Sequence, residues 1–454
     1  MLRSLILILI IQVLTPDTAI VQDKSDGNFE EKMNRLINPL VNTNNYSGSI
    51  AVGTSQEILF EQSYGFMNQS YQLKNHKDSK FFLASASMMF TSVAIMKLVD
   101  EGMIKLNDPL SKFFPEYSHG EKITIHHMLA QRSGIPRIGR NGQVMYNEIT
   151  SIPHTTDQLL NYIWEDELVF TPGEKYMHER TDYIFLASII EKVSGMSYGD
   201  YLAKEVFLPL GMTKSGHYKS QSEIIKDLCQ GYAPKGLYDL EKAPFLNWTS
   251  KTGHASIYST AGDLIRWGQA VLNNELISES SWDFILKDHG GHVGYGWFIS
   301  PHDGYDRIQM NGRSPGFSSY IAVYPDEDLI VTMLSNVYVS LPRVIGPEIA
   351  LMFLGEKWES LNLSDLEMTE SQAEDIIGDY QFGPEFYNPN GKVRIWLQDG
   401  GIHGDWGGLI PIDEGSGRFR KFIYRTFWSD IEFLEDSNGK VVQMKFDEYK
   451  GKKI

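Results

Sequence analysis

The stretch that decides the fold is Phe82-Leu83-Ala84-Ser85-Ala86-Ser87-Met88-Met89-Phe90-Thr91, continuing to Gly102. From Met88 to Glu101 the apolar residues Met89, Val93, Met96 and Leu98 recur at helical spacing, and Gly102 stops the run. Ser85 therefore stands where a helix begins. A serine there is an ordinary helix cap or, equally, a side chain held out for chemistry.

Upstream, Gly48-Ser49-Ile50-Ala51-Val52 and Glu57-Ile58-Leu59-Phe60 are β-rich and joined by Gly53-Thr54-Ser55, as in a hairpin. Downstream, Tyr183 to Val193 and Asp263 to Leu272 read as helices. Arg307-Ile308-Gln309-Met310, Tyr320-Ile321-Ala322-Val323-Tyr324 and Leu329-Ile330-Val331-Thr332-Met333-Leu334 read as strands. Strands at both ends with helices between predict an α+β fold: one antiparallel sheet closed by the first and last segments, beside a helical region. An acidic, polar stretch follows, and short strands with Gly-rich turns fill the rest. The predicted division is 1–22 a signal peptide, 23–360 the main domain, 361–377 a linker and 378–454 a small all-β domain.

Composition narrows the function. The 454 residues carry 41 Lys+Arg against 58 Asp+Glu, a net charge of −17, which repels phosphate backbones and argues against nucleic acid as partner. One cysteine, Cys229, excludes an intrachain disulfide and Cys-rich zinc sites. The 12 histidines form no HExxH or HxH pair, so neither a metal nor another cofactor is expected. Arg3 followed by the apolar run Leu5 to Ile11 reads as an export signal too short to span a bilayer, and no later stretch is apolar enough for a membrane span. The expected location is secreted or periplasmic.

Several further segments carry a resemblance: Leu98-Val99-Asp100-Glu101-Gly102 with Leu106-Asn107-Asp108-Pro109; Ile123-Thr124-Ile125 with Arg132-Ser133-Gly134-Ile135-Pro136; Pro172-Gly173-Glu174-Lys175; Pro209-Leu210-Gly211-Met212; Ser259-Thr260-Ala261-Gly262-Asp263-Leu264; and Pro315-Gly316-Phe317. Together with the Ser85 stretch, and in this order, they make residues 46–337 resemble the β-lactamase-related serine hydrolases: class C β-lactamases, D-alanyl-D-alanine carboxypeptidases, D-aminopeptidases and related esterases. The C-terminal stretch looks like the β-domain often appended in that family. The resemblance implies a β-lactamase/transpeptidase-like sheet and three catalytic motifs.

All three motifs depart from the family's pattern. The first, Ser-x-x-Lys, reads Ser85-Ala86-Ser87-Met88; the serine is kept, but a thioether cannot take its proton, and Met88 is read as core packing. The second, Tyr-x-Asn, reads His178-Glu179-Arg180. Arg180 cannot be a base, whereas a neutral His178 can. The third, Lys-Thr-Gly or His-x-Gly, reads Met310-Asn311-Gly312: the cation is gone and the glycine remains, so the backbone N–H groups of Ser85 and Arg313 are still available as an oxyanion hole. Lys251-Thr252-Gly253 also fits the third motif, but it precedes the Ser-Thr-Ala-x-Asp helix and is discounted.

Two functional readings follow. In one, the protein is a catalytically impaired family member that binds a small-molecule, peptide or cell-wall-like ligand in the old cleft, because catalytic partners act as a unit. In the alternative, it is an active serine hydrolase, esterase or amidase with Ser85 as nucleophile and His178 as base. Arg180, Asn311, Gly312 and Arg313 are the candidate substrate-binding residues.

Overall fold

A computed structural model describes residues 28–138, 146–360, 363, 368–412 and 419–454. The expected signal peptide lies outside them. The main domain is a six-stranded antiparallel sheet with apolar layers on both faces. A helix, α1 (Asn28–Asn42), leads into the hairpin β1 (Gly48–Gly53) and β2 (Ile58–Tyr64). Three helices of the intervening region matter here: α2 (Met88–Asp100) and α3 (Thr181–Ser194), which follow the first and second motifs, and α4 (Ala261–Leu272), which packs on the sheet. Strands β3 (Phe298–Ile299), β4 (Ile308–Ser314), β5 (Phe317–Tyr324) and β6 (Leu329–Ser335) follow, then α5 (Pro342–Leu354). The order across the sheet is β3-β4-β5-β6-β1-β2, so first and last strands close it as the sequence predicts.

Every residue of β5 and β6 is buried, which explains why both read as continuous apolar runs rather than alternating ones. One face, with Ile321, Ile330 and Leu334, packs against α2 and α4. The other, with Tyr320, Ala322, Val331 and Met333, packs against α1 and α5. The stretch Asp23 to Asn34, which reads as polar, covers only the start of helix α1; Met33, Leu36, Ile37 and Leu40 recur at i, i+3, i+4 and i+7 and form its buried stripe.

The C-terminal region is a closed antiparallel barrel of eight strands, β7 to β14, running from Gly378–Gln381 to Tyr449–Lys453. Met368, Ala373 and Ile376, in the stretch that reads as linker, are buried in its core. The barrel turn after Tyr424 docks on the main domain. Arg425, fully buried, donates to Asn45 Oδ1 and to the carbonyls of Asn44, Gly236 and Asp239, and Trp428 Nε1 donates to the Val339 carbonyl.

Candidate active site

Ser85 lies in a 3-10 turn, Ala84–Ser87, that runs directly into α2. Ala84 before it adopts a left-handed backbone, φ 50°, a conformation that a residue with a Cβ keeps only when its surroundings hold it there. The turn is held from both sides. Ser319 Oγ donates to the Leu83 carbonyl at 2.6 Å, and the Ile257 carbonyl accepts from the Leu83 N–H at 2.8 Å. Phe82, Leu83, Ala84, Ala86 and Ser87 are buried; Ser85 alone is partly exposed, and its hydroxyl has no hydrogen-bond partner among the described residues.

Strand β4 passes the turn closely because Gly312 has no side chain. A Cβ there would sit 2.0 Å from the Leu83 carbonyl oxygen and 2.8 Å from the Ser85 nitrogen. The strand's two-residue period puts Met310 and Gly312 on this face and Asn311 on the other. Arg313 turns its side chain away from the serine: it stacks on Tyr338 at 4.0 Å, donates from Nε to the Tyr338 carbonyl and from Nη2 to the barrel's Thr426 carbonyl. What Arg313 offers the cleft is its backbone.

The positions where the family places cations are apolar. Met88 and Met310 are 1% and 2% exposed and belong to one core with Phe90, Trp297 and Ile321. Between Met88 and the second motif lies Gln131. Its Nε2 is 3.6 Å from Met88 Sδ and 3.1 Å from the Glu179 carbonyl oxygen, and its Oε1 is 3.1 Å from His178 Nδ1. The structure thus joins the first and second motifs through a residue the sequence reading passed over. Its only signal was its place just before Arg132-Ser133-Gly134.

His178 is exposed, with Phe298 of β3 facing its ring at 6.4 Å and Tyr176 Oη 3.4 Å from Nδ1. The protein packed around the ring, and then the charges of Arg180 and Arg137, hold its pKa below the usual histidine value, so the imidazole is neutral at pH 7. Glu179 is buried and paired with Arg137 at 3.0 Å, which pins the motif's middle residue. Arg180 lines a small cavity behind the motif with Arg137, Thr150, Ser250 and His254. His254 is a second residue the sequence reading missed: it is 3% exposed, and neither ring nitrogen meets the geometry of a hydrogen bond among the described residues. Burial, then Lys251 and Arg180, push its pKa well down.

Three residues before Ser85, Phe82 opens onto a pocket of about 390 Å³ that Tyr218, Phe245, Trp248 and Phe317 also line. Three residues span at most roughly 10 Å, so this aromatic wall is within a ligand's reach of the serine. No group of histidine, cysteine and carboxylate side chains suited to a metal occurs among the described residues.

A serine on a constrained turn, facing a glycine strand beneath a mixed helical region, defines the class: a serine-hydrolase scaffold of the transpeptidase type. The Beta-lactamase family model matches residues 33–350. The chain belongs to the Beta-lactamase family. It is similar to Penicillin-binding protein 4* of Bacillus subtilis (strain 168), 27% identical over 331 residues covering 68% of this chain and 72% of that one. The octameric penicillin-binding protein homologue from Pyrococcus abyssi superposes with a TM-score of 0.66 at 22% identity over 94% of this chain and 99% of its own. D-amino acid amidase from Ochrobactrum anthropi SV3 superposes with a TM-score of 0.61 at 17% identity, covering 71% of this chain and 98% of its own. These superpositions show a shared fold, which for the Pyrococcus protein extends over nearly the whole chain.

Proposed function

We propose that this is an exported member of the family, catalytically impaired in its lysine-dependent chemistry, whose cleft binds a peptide- or cell-wall-like ligand. The observation that carries this is the pair of buried methionines. At both places where the mechanism needs a cation, Met88 and Met310 are sealed in a hydrophobic core, and a thioether neither takes the serine proton nor binds a carboxylate. The binding scaffold remains: a partly exposed Ser85, a close-approaching Gly312 and an aromatic pocket beside them. The penicillin-binding names of the relatives suggest a cell-wall setting, and export fits the short apolar leader. No helix among the described residues is long and apolar enough to cross a membrane.

The test is turnover of nitrocefin and of a D-Ala-D-Ala peptide by the purified full chain. The expected result is negligible turnover. Turnover at ordinary enzyme rates that disappears in Ser85→Ala would overturn the proposal.

A second reading, an esterase or amidase using Ser85 with His178 as base, draws support from one specific observation. His178 is a neutral imidazole tied by Nδ1 to a buried partner, as a positioned general base must be.

A further inference from the structure

Gln131 settles which nitrogen of His178 carries the proton. The residue is 5% exposed and holds a left-handed φ of 53°. Its N–H donates to the Met128 carbonyl, and its own carbonyl accepts from the Met177 N–H at 3.0 Å, so its place beside the second motif is fixed by main-chain bonds. Its amide nitrogen has two protons to give and meets two acceptors, the Glu179 carbonyl at 3.1 Å and Met88 Sδ at 3.6 Å. Turned over, the amide would set its oxygen against a carbonyl and a thioether, lone pairs against lone pairs, and lose both bonds. The orientation is therefore fixed without reference to histidine. Oε1 is left facing His178 Nδ1 and can only accept. Nδ1 must donate, and a neutral imidazole has one N–H. The lone pair is then on Nε2, which has no hydrogen-bond partner among the described residues, in a ring that is exposed.

We propose that Met88 and Gln131 are positioning residues that hold His178 as the Nδ1–H tautomer and present Nε2 as the base for the Ser85 proton. This rests on the second reading above. Methionine at 88 is then part of the device. A lysine ammonium brings three donors and no acceptor. It would draw the Gln131 oxygen toward itself and turn the NH2 toward Nδ1, placing the histidine proton on Nε2. The groups facing the ring are Tyr176 on its own segment, Arg180 and Arg137, whose positive charges favour the neutral form, and the neutral buried His254; the nearby Glu179 carboxylate is spent on Arg137.

In the reaction on an ester, Ser85 Oγ bonds to the acyl carbon as its proton passes to Nε2. The tetrahedral oxyanion collapses, the bond to the alcohol oxygen breaks, and the alcohol leaves with the Nε2 proton. A water then gives a proton to Nε2 and its oxygen to the acyl carbon. The serine ester bond breaks and Ser85 Oγ regains the proton.

The experiment is long-range ¹H–¹⁵N correlation on the full chain labelled in histidine, with His178 assigned from His178→Gln. The expected pattern is Nδ1–H in the native protein and Nε2–H in Met88→Lys; Nε2–H in the native protein overturns the proposal. In parallel, Ser85 is labelled with a fluorophosphonate and followed by intact mass against pH. Labelling should rise through the His178 titration and fall about 10²-fold or more in His178→Gln, the usual size of a general-base contribution. Gln131→Met, which offers Nδ1–H no oxygen acceptor, should lose labelling. A folded native protein whose Ser85 does not label, or a folded Gln131→Met protein that labels as the native one does, overturns the assignment. Nitrocefin turnover is measured separately, so failure of the impaired-enzyme proposal is told apart from failure of this one.

Discussion

Arg425 anchors the barrel to the main domain beside the Trp428 and Arg313 contacts, and removing its buried guanidinium has a calculable effect. Arg425 is fully buried and spends its donors on four oxygens: Asn45 Oδ1 at 2.9 Å, Asn44 O at 3.1 Å, Gly236 O at 3.2 Å and Asp239 O at 3.1 Å. Arg425→Met keeps much of the stem but leaves all four acceptors bare in a sealed interface. A hydrogen bond to a charged group contributes about 1.5–3 kcal/mol. Four do not add, because burying the charge already costs free energy, evident in an Arg425 pKa pulled down to about 10. Breaking such a buried network typically costs about 3–5 kcal/mol. Against a usual total of about 5–15 kcal/mol, that is enough to release the barrel as a separate early transition. The assay is urea unfolding followed by tryptophan fluorescence, since Trp428 sits in the interface. Arg425→Lys should recover little, because one ammonium cannot reproduce the fork. A loss below about 1 kcal/mol in Arg425→Met, or an Arg425→Lys protein indistinguishable from native, would refute the reasoning.

Two further predictions concern the cleft and pH. In Gly312→Ala the new Cβ meets backbone, 2.0 Å from Leu83 O and 2.8 Å from Ser85 N, so neither can give without moving the serine turn; the variant should lose about 1–3 kcal/mol in thermal or urea unfolding and abolish any covalent labelling of Ser85. Burial lowers the pKa of His217 to about 3 and of His126 to about 4, below the 6.5 of an unfolded histidine, so the unfolded chain takes up these protons first. Their contribution to stability is complete above pH 6.5 and is lost progressively as pH falls toward those values. The melting temperature should therefore drop between pH 6.5 and 5, before most carboxylates titrate, and a flat profile there, or one unchanged in His217→Gln, would contradict it.

What the sequence made legible follows from how local each signal is. Helix α2 was readable because its apolar spacing and its stop at Gly102 lie within 15 residues, and β5 and β6 because burial on both faces gives the near-continuous apolar runs Tyr320–Tyr324 and Leu329–Leu334, which only Thr332 interrupts. Helix α1 was not, because a polar start hides a stripe whose partner sheet closes only with β6, some 300 residues on. The stretch from Met368 to Ile376 failed for the same reason: its three anchors are widely spaced among acidic residues, and they have meaning only inside a closed barrel.

The site divides along the same line. Ser85 and Gly312 were legible because their roles are fixed by main-chain geometry, a turn and a close approach, that motif order already implies. Gln131 was not, since its meaning lies in contacts with Met88 and His178, 43 and 47 residues away. Read singly, Met88 is a lost lysine and His178 a drifted tyrosine, two independent defects. Joined by one amide whose orientation Met88 and the Glu179 carbonyl constrain, they become a coupled pair: the acceptor at 88 helps to turn the amide oxygen toward 178, and a histidine at 178 is what makes that orientation matter. Restoring the lysine alone would therefore not restore the old chemistry. It would add a buried ammonium with no tyrosine to return the proton and no cation at Met310 for a carboxylate, while removing the arrangement that leaves Nε2 free.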